Sequence, residues 1–331
     1  MKNNNLSVTL RDLYAARQAI SCQVERTPLV LASALSESCG ANVYLKMETA
    51  QSIGAFKIRG ATNRVLRLTE GERARGVVTV STGNHGRAVA QAAQRAGIKA
   101  IVCMSELVPT NKISAIQALG GEARIVGNSQ DEAEIEANRL VREEGMTLIH
   151  PFDDPWVVAG QGTIGIELLE DLPRIDTFLV GLSGGGLLSG VAIALKAAWP
   201  ATRIIGVSMQ KGPAMVLSLQ AGRPVLVEEE ATLADSLGGG IGLQNRYTFD
   251  LVSELVDETV LLSESQIVNA MRHLYHKEGI VAEGAGAVGV GALLHGLVGN
   301  LGENVVTIVS GSNIDRGTFN KVMEQSWEAD K

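Results

Sequence analysis

In the stretch QSIGAFKIRGATN, residues 51–63, Lys57 follows a Gly-Ala pair and a phenylalanine at the predicted start of a helix. Two kinds of chemistry are open to it. Most lysines stay solvated, and a cation on a helix is an ordinary surface feature. A neutral amine in a partly desolvated pocket is instead a nucleophile toward a carbonyl carbon. Three glycine-rich segments bear on the choice: STGNHG (81–86), GLSGGGLLSG (181–190), with three consecutive glycines at 184–186, and SGSNID (310–315). Successive glycines let backbone N–H groups converge on an anion at a helix N-terminus, where the dipole favours negative charge. Such loops suit a phosphate or a carboxylate. Tight strand-to-helix turns are the alternative, since parallel folds need them anyway.

The segments around these loops alternate between short apolar runs and amphipathic ones. GVVTVS (76–81) reads as a buried strand, followed by the helix RAVAQAAQRAG (87–97). IKAIVCM (98–104), the helix NKISAIQALGG (111–121), EARIVG (122–127), the charged helix 129–145 and MTLIH (146–150) continue the pattern. A second series runs from DTFLVGL (176–182) through a helix closed by Pro200 to RIIGVSM (203–209), and ENVVTIVS (303–310) is the last strand. Strand, helix and strand at short spacing predict an α/β protein with parallel sheets covered by helices. Two such series without a Pro/Ser-rich linker predict two lobes facing each other across a cleft.

Composition limits the partners. A chain of 331 residues with 45% apolar content buries a large core. A net charge of -7 and scattered Lys and Arg argue against nucleic acid. No apolar run reaches membrane-spanning length, and MKNNNLSVTLRD has no signal-like core, so no membrane partner and a cytoplasmic location are expected. Cys22, Cys39 and Cys103 are odd in number and far apart, which suits a reducing compartment. Gly184, Gly186 and Gly190 do not match the dinucleotide fingerprint, and no P-loop pattern is present. A phosphate cup without a nucleotide signature points to a smaller phosphorylated cofactor. His273 and His276 in MRHLYHKEG read as a solvated helix face, the run Glu228–Glu230 as a solvated turn, and Cys103 as packing. Glu283 is left between a role near the cofactor and a role at a helix start.

Seven motifs in order carry a resemblance: TPLV (27–30), YLKMETAQSIGAFKIRGA (44–61), STGNHG (81–86), HPFDDPWVVAGQGTIGIE (150–167), SGGGLLSG (183–190), AEGAGAVGVGAL (282–293) and SGSNID (310–315). The chain resembles the fold-type II pyridoxal-phosphate enzymes, the group of serine/threonine dehydratases, serine racemases and threonine synthases. The resemblance implies a two-lobed, tryptophan-synthase-beta-like α/β architecture with parallel-rich sheets. It sets a large cofactor-binding domain at 1–75 and 151–331, a small mobile domain at 76–150, and a homodimer. The cofactor implied is pyridoxal 5'-phosphate and the ligand a small amino acid.

By the same resemblance Lys57 is the Schiff-base lysine beside Phe56, and it later removes the substrate α-proton. Ser183, Gly184, Gly185, Gly186 and Leu187 form the phosphate cup. Asn84 meets the pyridine 3'-hydroxyl, while Ser81, Thr82, Asn84 and His85 grip the substrate carboxylate. Ser310 faces the pyridine nitrogen; a neutral serine there makes a weaker electron sink than an aspartate, which favours β-elimination or β-replacement. The expected reaction is loss of water from a β-hydroxy amino acid, giving an enamine that hydrolyses to a 2-oxo acid and ammonia. A racemase, a β-replacement enzyme or a non-catalytic amino-acid sensor are the alternatives.

Four departures refine this. Ala55 stands where many relatives have serine, so one hydroxyl near the reacting centre is missing; Thr82 stands where racemases carry their serine, and its extra methyl favours elimination over racemisation. GVSMQKGPAM (206–215) lacks the acidic residue of metal-dependent relatives, so no metal is expected. SMQKGPAM and LADSLGGGIG (233–242) resemble the dehydratases of hydroxyectoine utilisation. The short stretch after SGSNID leaves no regulatory domain, so feedback control by isoleucine is not expected.

Overall fold

The structure is a computed structural model that describes residues 7–81, 83–108 and 110–324. Its strands are β1 (Leu29–Leu31), β2 (Asn42–Met47), β3 (Val77–Val80), β4 (Ala100–Met104), β5 (Glu122–Ile125), β6 (Thr147–Leu148), β7 (Thr177–Gly181), β8 (Arg203–Met209), β9 (Glu258–Leu262) and β10 (Asn304–Val309). They form a six-stranded sheet, β1-β2-β10-β7-β8-β9, and a four-stranded sheet, β5-β4-β3-β6. Every pairing is parallel except β1 with β2. The last strand in sequence, β10, lies inside the larger sheet between β2 and β7. Its residues Val305–Val309 are all buried, as a strand covered on both faces requires.

Alternation along the strands of this sheet builds two cores. Phe178, Val180, Ile204 and Val306 pack with Leu13, Val158, Leu188 and Val191 on one face. Leu179, Ile205, Val305 and Val309 pack with Val268, Met271, Val288 and Val290 on the other. The smaller sheet is likewise covered twice: Val77 and Ala100 meet Ala88, Val89 and Ala92 of one helix, while Val78, Ile101 and Cys103 meet Ala133, Ala137 and Leu140 of another. Burial pushes the Cys103 thiol up to about 11, so it is packing material, as expected.

One helix, Pro155–Asp171, sets the geometry of the cleft. Asp154 caps it by accepting from Trp156 N and Val157 N, and Pro155 occupies a first-turn position where no N–H is needed. On one side it packs on helix Lys57–Leu66; a Cβ on Gly160 would lie 2.6 Å from Gly60 Cα. On another it packs on helix Gly186–Ala198, where a Cβ on Gly190 would lie 2.6 Å from Gly162 N. Backbones this close tolerate only glycine, and the result fixes the Lys57 helix relative to the helix that follows the triple glycine.

Most predicted elements are present within a few residues of their expected bounds. The sequence pattern does not mark β1, β2 and β9 as strands, and the antiparallel edge β1–β2 adds to the parallel plan. No described helix is long and apolar enough to cross a membrane. His276 is exposed, but His273 is mostly buried, 3.7 Å from Glu278, so the pair does not form a solvated face.

Candidate active site

Lys57 begins its helix directly after a segment stitched to the end of β10. Phe56 N donates to Ser310 O at 3.0 Å, Ser312 N donates to Gly54 O at 3.0 Å, and Ala55 and Gly311 form an antiparallel bridge. Lys57 Nζ donates to Pro151 O at 2.8 Å and sits 5.2 Å from the centroid of the Phe56 ring. Burial lowers the Lys57 ammonium to about 8, against the charge of Glu283, which works upward. A neutral fraction far above that of a solvated lysine is therefore available near physiological pH, although the ammonium is still the majority form.

Lys57 lines a cavity of about 330 Å³. The same cavity is bounded by Ser183, the glycines 184–186, Leu187 and Ser310. Gly185 has φ +84 and is the N-cap of helix Gly186–Ala198, and no side chain caps that helix. Its first N–H groups are thus left for a ligand, and the site suits an anion. Phe152 supports the loop from beneath: a Cβ on Gly184 would lie 2.2 Å from its ring.

The third side of the cavity comes from the segment after β3. Ser81, Asn84 and His85 line it, while Thr82 lies outside the described residues. His85 is buried, its Nε2 against Ile149 O at 2.9 Å, and burial, reinforced by the nearby Lys57 charge, lowers it to about 3. It is neutral near physiological pH. Asn84 Nδ2 donates to Glu283 Oε1 at 2.7 Å, and Asn84 Oδ1 accepts from Asn313 Nδ2 at 2.6 Å. Burial raises the Glu283 carboxyl to about 7, helped by the charge of Asp235. Every described residue of the expected set is thus found around one cavity. The sequence alone assigns Asn313 no role within SGSNID and leaves Glu283 open between two; its contact with Asn84, 199 residues away in sequence, distinguishes them.

Beneath Lys57 lies a buried charge cluster that sequence reasoning missed. Arg59 donates through Nε and Nη2 to both Glu48 oxygens at 2.8 Å, and Arg59 Nη1 lies 2.6 Å from Glu167 Oε1. Lys46 Nζ lies 2.8 Å from Glu167 Oε2 and donates to Thr27 O at 2.7 Å. Lys46 and Glu48 are fully buried, and Arg59 and Glu167 nearly so. The two cations and two anions balance, and bidentate geometry satisfies the guanidinium.

Parallel-rich sheets that bring a low-pKa lysine and an uncapped glycine-rich helix start into one cavity define the fold-type II class of α/β enzymes. Residues 20–311 match the family model for "Pyridoxal-phosphate dependent enzyme", and the chain belongs to that family. A Sinorhizobium fredii protein whose name places it provisionally among the threonine dehydratases is 50% identical over 97% of each chain. The L-threonine ammonia-lyase of Thermotoga maritima is 43% identical, covering 96% of this chain and 79% of that one. Among solved structures, maize serine racemase superposes with a TM-score of 0.90 at 34% identity, covering 96% of this chain and 98% of that one. The residues present fit the family's cofactor. An amine with a depressed pKa suits its aldehyde, and the uncapped helix start suits its phosphate.

Proposed function

We propose that this protein is a dehydratase, an ammonia-lyase acting on β-hydroxy amino acids, with Lys57 as the residue that holds the cofactor. The observation that carries the reading is the convergence of a half-buried, low-pKa Lys57 with the 183–187 loop and the neutral hydroxyl of Ser310 in one cavity. When bound, pyridoxal phosphate supplies an electron sink for charge at the substrate α-carbon. Lys57 would hold it through its amine and would take the α-proton of the substrate; Lys57 Nζ donates to Pro151 O, which steadies that amine. The N–H groups at 183–187 would hold the phosphate, Phe56 would flank the lysine, and Asn84 would donate to the ring oxygen. Ser81, Thr82, Asn84 and His85 grip the substrate carboxylate. Ser310, a hydroxyl and not a carboxylate, would face the ring nitrogen, and such a neutral partner would suffice for elimination, in which the leaving β-hydroxyl carries the electrons away.

Relatives named for threonine dehydratase and threonine ammonia-lyase activity support this class. The solved racemase supports a second reading, α-proton exchange without elimination. The substrates in view are serine, threonine and, from the resemblance of 208–215 and 233–242, a hydroxyectoine-derived β-hydroxy amino acid. Initial rates of ammonia release from both enantiomers of serine, threonine and 3-hydroxyaspartate test the reading; no release from any of them contradicts it. We further propose that 76–150 is a small domain that moves against 1–75 and 151–331, since its sheet shares no strand with the other. A cytoplasmic homodimer completes the reading, in keeping with three free cysteines.

Two predictions arise here. Gly184→Ala drives a methyl group into the Phe152 ring. Overpacking of about 1–3 kcal/mol is expected to weaken cofactor binding by roughly 5- to 150-fold, read by titrating apoprotein. The second concerns pH. The neutral fraction of Lys57 grows as pH rises through about 8, so the rate of cofactor capture by apoprotein is expected to climb from pH 7 and level off above 9. A pH-independent rate contradicts the assignment of that amine.

A further inference from the structure

Glu283 is the N-cap residue of helix Gly284–Leu294, yet its side chain makes no capping bond. A carboxylate there ordinarily satisfies orphan N–H groups and gains from the helix dipole. This one, 5% exposed, is instead turned toward Asn84 on the first turn of helix Asn84–Arg95, beside the other sheet. The Asn84 oxygen in turn accepts from Asn313 Nδ2. Asn313 Nδ2 also donates to Ile53 O at 2.8 Å, and its oxygen accepts from Arg87 Nη1.

These bonds leave no freedom in either amide. Turning Asn313 over would set its N–H groups against the Arg87 guanidinium and its oxygen against two carbonyl oxygens. Turning Asn84 over would set oxygen against Glu283 and nitrogen against Asn313 Nδ2. One N–H of Asn84 is therefore committed to Glu283, and its other N–H has no partner among the described residues, on a side chain that lines the cavity.

We infer that Glu283 and Asn313 are positioning residues: together they hold the Asn84 carboxamide in the one orientation that offers an N–H to the ring oxygen of the bound cofactor. The inference rests on the cofactor reading above. It also makes the orientation conditional on contact between the two sheets, because Asn84 and Arg87 belong to one side and Glu283 and Asn313 to the other. Neutral or charged, the Glu283 carboxyl keeps an oxygen to accept from Asn84, so the orientation survives its titration.

The test uses the full chain, stripped of cofactor and titrated with pyridoxal phosphate, with affinity and the visible absorbance of the bound form as readouts. Glu283→Ala and Asn313→Ala are each expected to weaken binding by about five- to tenfold, the worth of a hydrogen bond, with the melting temperature of the apoprotein little changed. Glu283→Gln keeps the acceptor and is expected to restore wild-type affinity. Unchanged affinity in both alanine variants, or a Gln variant as weak as Ala, overturns the inference, as does an affinity loss matched by a loss of apoprotein stability. Should Glu283→Ala not fold, Asn313→Ala alone decides by the same criteria. Failure of the wild-type protein to take up pyridoxal phosphate contradicts the parent reading instead.

Discussion

Lys57→Ala is expected to cut turnover by roughly 10⁴-fold or more, because one substitution removes both the covalent anchor and the group that moves the α-proton. Few other residues carry two roles. The fold is expected to survive: Lys57 makes one side-chain hydrogen bond, to Pro151 O, and its ammonium is already disfavoured by burial. The variant should therefore melt near the wild-type temperature while losing the visible absorbance of bound cofactor. Steady-state ammonia release and the absorption spectrum, measured on the same preparation, check both parts. A variant with one tenth of wild-type turnover contradicts the assignment.

The largest expected effect on stability belongs to Arg59→Ala. Arg59 is 1% exposed and is shared by Glu48 and Glu167, which are 0% and 2% exposed. Removing it leaves Glu48 buried without a cationic partner, while Lys46 still faces Glu167. Breaking a buried ion pair from one side costs about 3–5 kcal/mol, against a total domain stability of about 5–15 kcal/mol. Equilibrium denaturation gives the number directly. The sign of its pH dependence is also fixed. Burial alone raises the Glu167 carboxyl, but Arg59 and Lys46 outweigh burial and hold it below its ordinary value. A depressed carboxyl contributes stability above its ordinary value and loses it as pH falls through the lowered one. The wild-type protein should weaken in acid, and the deficit of Arg59→Ala should shrink there, since neutral carboxyls no longer need the guanidinium. Because Arg59 lies on the first turn of the Lys57 helix, partial rescue by Arg59→Lys should restore stability before it restores cofactor affinity.

The lysine and the glycine loops were legible in the sequence because their chemistry dictates residue type: an amine must be lysine, and close backbone approach must be glycine. The strands β3, β4, β8 and β10 were legible for a simpler reason, being near-continuous Val and Ile runs. β2 was not, since NVYLKM carries next to its end a lysine, Lys46, that periodicity assigns to solvent. Lys46 is buried there only because Glu167, 121 residues later, meets it, and no local pattern carries that distance. Glu283 was obscured in the same way, as a carboxylate at a helix start that belongs to a residue on another helix. What stayed hidden was charge pairing across the chain, and with it the devices that orient Asn84 and anchor the Lys57 helix.

Elimination with Lys57 holding the cofactor is decided by product stoichiometry. Wild-type protein loaded with pyridoxal phosphate and given the hydroxy amino acid it consumes fastest should yield one 2-oxo acid and one ammonia per molecule lost, with no enantiomer accumulating. Accumulation of the enantiomer without ammonia would contradict it and make the protein a racemase.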